Sequence, residues 1–179
     1  METLRRIVQD AKSLGKRICL TSGAFDLFHY SHLDLIRKSS EICDFLIVGV
    51  DSDNSVSDYK SYKRPIIPEE KRLEIINSLD CIDAVFIKNT PLDINSHIQL
   101  YKDLMIDIVT IGFNYGFEEK VGIQTAKAGV RLIRLRTDQL DTTTTIIDSI
   151  VERYSIKKNT KRHTKPAFSE FQDAKKDIY

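Results

Sequence analysis

Short apolar runs alternate with longer amphipathic stretches along most of this chain, and that alternation constrains the fold more than any other feature. Arg17–Thr21, Phe45–Val50, Ala84–Ile87, Ile108–Ile111 and Leu132–Leu135 read as short buried strands. Helical patterns fill 31–40, 68–78, 92–103 and 118–128, another follows the last strand at 143–154, and a lead-in helix covers 3–14 and closes at Gly15. Strand-helix alternation implies right-handed crossovers, hence an α/β fold with a parallel five-stranded sheet and helices on both faces. Two boundaries carry a mechanism. Pro68 with Glu69 and Glu70 suits a first helical turn. Gly129 stands where a helix needs a left-handed residue before the next strand.

The 179 residues are 41% hydrophobic and 30% charged, which fits one globular domain with its own core and excludes a disordered chain. No apolar run reaches the roughly 20 residues of a membrane span. The first residues lack the apolar stretch of a signal peptide, so a cytoplasmic location is expected. Cys19, Cys43 and Cys81 lack metal-ligand spacing and read as reduced thiols near the core. The net charge is +1, but residues 156–179 hold seven Lys/Arg against three Asp/Glu. We therefore divide the chain into a domain at 1–155, with a lead-in segment at 1–16, and a solvated basic tail at 156–179; nucleic acid is not expected as a partner.

Ligands of open parallel sheets bind beyond the carboxyl ends of the strands. The first strand runs into Thr21-Ser22-Gly23-Ala24-Phe25-Asp26-Leu27-Phe28-His29-Tyr30-Ser31-His32, with a helix pattern directly after it. His29 and His32 share one face of that helix's first turn, where free backbone N–H groups attract phosphate. Two imidazoles there can donate to phosphate oxygens as charge builds up, and Gly23 leaves room for a ligand against the backbone. Lys60 falls in a polar loop after the second strand, placed to close over phosphates. Arg72, in the first turns of a helix, has a fork suited to a substrate phosphate, with a surface ion pair as the alternative. Thr142, Thr143 and Thr144 precede a helix, where hydroxyl and N–H groups converge on an anion or simply cap.

Gly23-x-Phe25-Asp26-x-x-His29-x-x-His32 resembles the signature of the cytidylyltransferase-like nucleotidyltransferases, which usually ends His-x-Gly-His; Ser31 stands in place of that glycine. Residues 3–155 look most like the adenylyltransferase domain of the ADP-heptose synthases. Val50-Asp51-Ser52-Asp53-Asn54-Ser55 is similar to a Val-Asn-Ser-Asp-x-Ser segment of that group. Arg64-Pro65-Ile66-Ile67-Pro68-Glu69-Glu70-Lys71-Arg72 is similar to its Arg-Pro-x-x-Pro-x-Glu-x-Arg stretch, and Thr142–Ile147 to its Ser-Thr-Thr-x-Ile-Ile. Ile111-Gly112-Phe113-Asn114-Tyr115 replaces the group's Lys-Gly-Gly-Asp-Tyr, which leaves the sugar and the nucleotide open. The Trp-Glu-Gly of the glycerol-phosphate cytidylyltransferases is also absent.

The resemblance implies a single Rossmann-like domain that joins an NTP, with ATP favoured, to a sugar phosphate or similar acceptor and releases pyrophosphate. His29, His32 and Lys60 would be catalytic. Ser22, Gly23, Ala24, Phe25, Gly112, Asn114 and Thr142–Thr144 would bind the nucleotide, while Asp26, Asp53 and Arg72 would serve the substrate. Mg²⁺ would arrive with the NTP, and a homodimer is expected. One alternative is a cytidylyltransferase using CTP and glycerol phosphate or another polyol or amino-alcohol phosphate. Another is a nucleotide-binding module without catalysis. No P-loop, dinucleotide-binding glycine turn or Gly-x-Ser-x-Gly elbow occurs.

Overall fold

Twelve elements follow one another in a computed structural model that describes residues 1–113, 116–137 and 142–155. In chain order they are α1 (Glu2–Ser13), β1 (Ile18–Gly23), α2 (Tyr30–Ser40), β2 (Phe45–Asp51), α3 (Asp53–Tyr59), α4 (Glu69–Asn77), β3 (Ala84–Lys88), α5 (Ile94–Asp103), β4 (Ile108–Gly112), α6 (Glu118–Ala128), β5 (Arg131–Leu135) and α7 (Thr143–Ser155). The strands form one parallel sheet in the order β3-β2-β1-β4-β5. The chain divides into two compact units, Met1–Thr143 and Thr144–Tyr179; the sheet lies in the first, and the described part of the second is the remainder of α7.

The strand pleat sends alternate residues to opposite faces. Ile18 and Leu20 of β1 and Phe45 and Ile47 of β2 join Leu4 and Val8 of α1, Leu100 and Leu104 after them, and Val121 of α6 in one core. Cys19, Leu46, Val48 and Val50 face the other way, onto Ile36 of α2 and Ile76 of α4. Each fully buried Ile, Leu or Val contributes roughly 1.5–3 kcal/mol relative to exposure. Helices therefore cover both faces, as the alternation predicts.

The departures from the expected boundaries are local. The expected strands and helices all form within a residue or two of their predicted ends, with β1 extending through Ser22 and Gly23. Pro68 stands just outside its helix as the N-cap (φ −56°, ψ 151°), and Asp93 caps α5 by accepting from Ser96 N–H at 2.8 Å. Gly129 takes the left-handed conformation, φ +72°, that its position requires. The short α3 falls where the sequence reading has a loop. Ser52 caps it by accepting from Ser55 N–H at 3.3 Å, and Val56 buries its inner side. Among the described residues no helix is long and apolar enough to cross a membrane.

Candidate active site

The switch point of this strand order lies between β1 and β4, and the signature loop leaves the end of β1 there. Phe25 and Leu27 both adopt positive φ, 49° and 47°, so the loop is wound tighter than side-chain-bearing residues prefer. Phe25 is buried and meets His32 edge-on at 5.4 Å between centroids; Phe28 lies against the same imidazole at 5.7 Å. His29 is the N-cap of α2, and its ring stacks on His32 at 3.8 Å with a 27° tilt. The helix turn thus brings the predicted pair together as one unit.

His32 Nδ1 is buried without a hydrogen-bond partner among the described residues. Burial, then the nearby His29 and Lys60, lower its pKa to about 3. The imidazole is neutral at pH 7. Its folded value lies below the unfolded value of about 6.5, so the unfolded chain binds the extra proton as pH falls between the two. We expect urea-unfolding stability to decline as pH drops from about 6.5 toward 4.5. A His32→Gln chain should show a shallower slope there; an unchanged slope would mean that His32 does not carry this linkage.

Asp26 holds the loop. It is fully buried, and its carboxylate accepts from Arg64 Nε at 2.7 Å and from the backbone N–H groups of Ile66 and Ile67, each at 2.9 Å. Burial opposes its ionisation, but those two N–H groups and Arg64 outweigh burial and hold the carboxyl below its ordinary range. Thr143 Oγ1 donates to the Asp26 carbonyl at 2.9 Å. Both Asp26 oxygens are engaged within the protein, and the residue ties the signature loop to segment 64–67.

Arg72 joins the same framework. It is not at the surface but fully buried, with Nε donating to the Ile67 carbonyl at 2.8 Å, Nη1 to the Ala24 carbonyl, and Nη2 to Asp53 Oδ1 at 2.6 Å. Asp53, the other expected substrate residue, is thereby committed to Arg72 while its N–H donates to Glu69 Oε2 at 2.5 Å. The arginine that keeps donor capacity is Arg64, whose buried Nη2 has no hydrogen-bond partner among the described residues. The sequence reading passed over it, although it opens the Arg-Pro stretch that also holds Arg72. Lys60 closes α3 rather than sitting in an open loop, and is solvent-accessible. Partial burial and then Arg64 lower its ammonium from the ordinary value. Arg64 and Lys60 both bear on His32 electrostatically, so the three face one region.

The remaining predicted residues fall into three groups. Ser22, Gly23 and Ala24 lie at the end of β1, and Gly112 ends β4. A Cβ at Gly23 would meet the Phe25 ring, and one at Gly112 the Thr137 hydroxyl, at ordinary contact distances of 3.7 Å or more, so neither position needs glycine for space. Thr142 is exposed, Thr144 belongs to the second unit, and Asn114 and the tail 156–179 lie outside the described residues.

The model of the cytidylyltransferase-like family matches residues 20–157, which takes in the sheet, the signature and the stacked histidines. The chain belongs to the cytidylyltransferase-like family. It is 34% identical over 157 residues to the bifunctional protein HldE of Pelobacter propionicus, covering 86% of this chain and 31% of that one. It is 39% identical over 134 residues to HldE of Nitratiruptor sp., covering 74% and 28%. The chain thus spans about a third of the length of the curated relatives it matches. A lipopolysaccharide core biosynthesis protein from Thermoplasma volcanium shares the fold, with a TM-score of 0.59 at 24% identity over 71% of this chain and 100% of that one. The family's signature and fold are those of a nucleotidyltransferase.

Proposed function

We propose that this chain transfers a nucleotidyl group from an NTP, with ATP favoured, to the phosphate of a sugar phosphate or similar small acceptor. An acceptor phosphate oxygen attacks the α-phosphorus, the bond to the bridging oxygen breaks, and pyrophosphate leaves with that bonding pair. No covalent enzyme intermediate is required, so catalysis is positioning and charge stabilisation. The observation that carries this reading is the stacked His29–His32 pair at the start of α2, with Lys60 and Arg64 bearing on it.

In this reading His29 and His32 donate to the triphosphate, and Lys60, with the backbone N–H of Thr143 at the start of α7, holds its outer phosphates. Arg64, through its unused Nη2, holds the acceptor phosphate; Arg72 and Asp26 position the loop. Ser22, Gly23, Phe25 and Gly112 shape the nucleotide pocket. Mg²⁺ is proposed to arrive with the triphosphate. The preference for ATP rests on the likeness to the adenylyltransferase domain.

Thermal melting with Mg²⁺ and each of ATP, CTP, GTP and UTP tests the proposal. A nucleotide at 100 times its Kd adds about 2.7 kcal/mol, a rise of roughly 5–11 °C for a chain of this size. We expect ATP to give it. A shift with CTP alone would reassign the enzyme as a cytidylyltransferase. Binding without pyrophosphate release across an acceptor screen would favour the non-catalytic module, and no shift at all would overturn the nucleotide site.

A further inference from the structure

A second, small cleft opens on the α5–α6 side of the sheet, where β2 and β3 end. Its floor is an ion pair: Lys88, the last residue of β3, donates to Asp51 Oδ1, the last residue of β2, at 2.5 Å. Both are buried, and Tyr59 donates its hydroxyl to the other Asp51 oxygen at 2.8 Å. Gly49 makes room for this arrangement. A Cβ there would stand 3.3 Å from Lys88 Cδ and 3.2 Å from Ser22 Cβ, tighter than side chains normally pack. Lys120, His97 and Gln124 complete the polar lining.

The cleft is rich in donors and short of acceptors. An ammonium has three N–H groups. Among the described residues Lys88 has one protein acceptor and Lys120 has one, the Leu92 carbonyl. Asp51 has both oxygens engaged. His97 Nδ1 lies 3.0 Å from the Asp93 carbonyl, which only accepts, so the proton sits on Nδ1. Burial and then Lys88 lower the pKa of this histidine, so the ring adds no charge of its own at neutral pH. Two ammonium groups against one carboxylate leave the cleft with a positive balance.

We infer that this cleft binds an anionic group, a carboxylate or a second phosphate, at the end of the acceptor remote from its reacting phosphate. The inference rests on the transfer reading above. The connection is α3: Tyr59 lines the cleft, and the next residue, Lys60, bears on His32. Asp51 and Lys88 end β2 and β3 at the same carboxyl edge of the parallel sheet from which the signature loop leaves β1, so both places open along one edge. A cationic headgroup such as an amino alcohol would meet Lys88 and Lys120 and find no unpaired carboxylate.

Titration calorimetry on the full chain, with a non-hydrolysable ATP analogue and Mg²⁺ present, tests this. The probes are glucuronic acid 1-phosphate and glucose 1-phosphate, which differ in one carboxylate, and glucuronate, which lacks the phosphate. We expect glucuronic acid 1-phosphate to bind about 10-fold or more tighter than glucose 1-phosphate. The advantage should fall to about threefold or less both in Lys120→Gln, at the rim, and in the charge-neutral pair Asp51→Asn with Lys88→Gln. Equal binding of the two phosphates, or a preference that survives both variants, would overturn the inference. Glucuronate binding as tightly as its 1-phosphate would overturn it too, by making the cleft an independent anion site. If nucleotide still raises the melting temperature in those cases, only this inference fails; without that rise the transfer reading fails with it.

Discussion

His32→Ala lowers turnover by about 10²–10³ with folding intact, the magnitude expected when a donor to developing phosphate charge is removed from a preorganised site. The effect should fall on kcat more than on KM for the nucleotide, because a neutral imidazole gains most from the charge that appears during transfer. His32→Gln keeps an N–H donor and should recover part of the loss. The assay is pyrophosphate release at saturating nucleotide and acceptor, read beside a melting curve, because the His32 ring also packs against Phe25 and Phe28. Turnover of the alanine variant within about threefold of the parent would remove His32 from the mechanism.

Arg72→Met has the second large effect, on stability. Removing the guanidinium leaves the Ala24 and Ile67 carbonyls without their donor and the partly exposed Asp53 without its counter-charge. Two carbonyls left without a donor cost about 2–5 kcal/mol together. Urea unfolding measures it directly. Asp53→Asn should cost less, because Asp53 is 42% exposed and water replaces part of what Arg72 supplied. A cost for Arg72→Met below about 1 kcal/mol would mean that the guanidinium is not the clamp its contacts describe.

The sheet was legible in the sequence because its strands are short apolar runs, with β1, β2 and β4 buried over most of their length, and that signal needs no partner to be seen. The signature was legible because strand, tight loop and helix start are contiguous, so spacing alone brings His29 and His32 onto one face. The short α3 was not: Asp53-Asn54-Ser55-Val56-Ser57-Asp58-Tyr59 consists mostly of weak helix formers, and its single buried residue, Val56, makes no period. Arg72 was misplaced because an arginine in a charged first turn reads as exposed. What buries it, Ala24 and Asp53, lies 48 and 19 residues away. The Lys88–Asp51 pair was invisible for the same reason. The sequence strand ends at Ile87 because lysine looks like a terminus, and its partner is 37 residues upstream.

The stacked histidines carry a consequence for what the site ignores. Two rings whose centroids are 3.8 Å apart repel a second proton strongly, and the inner ring resists even the first. Such a pair offers little long-range attraction to the small inorganic anions that crowd any cell. Long-range attraction is left to Lys60 and Arg64, and the imidazole donors become worth most to a group already at contact distance. Permanent cations on the same helix turn would leave the turn occupied by whichever anion was most abundant.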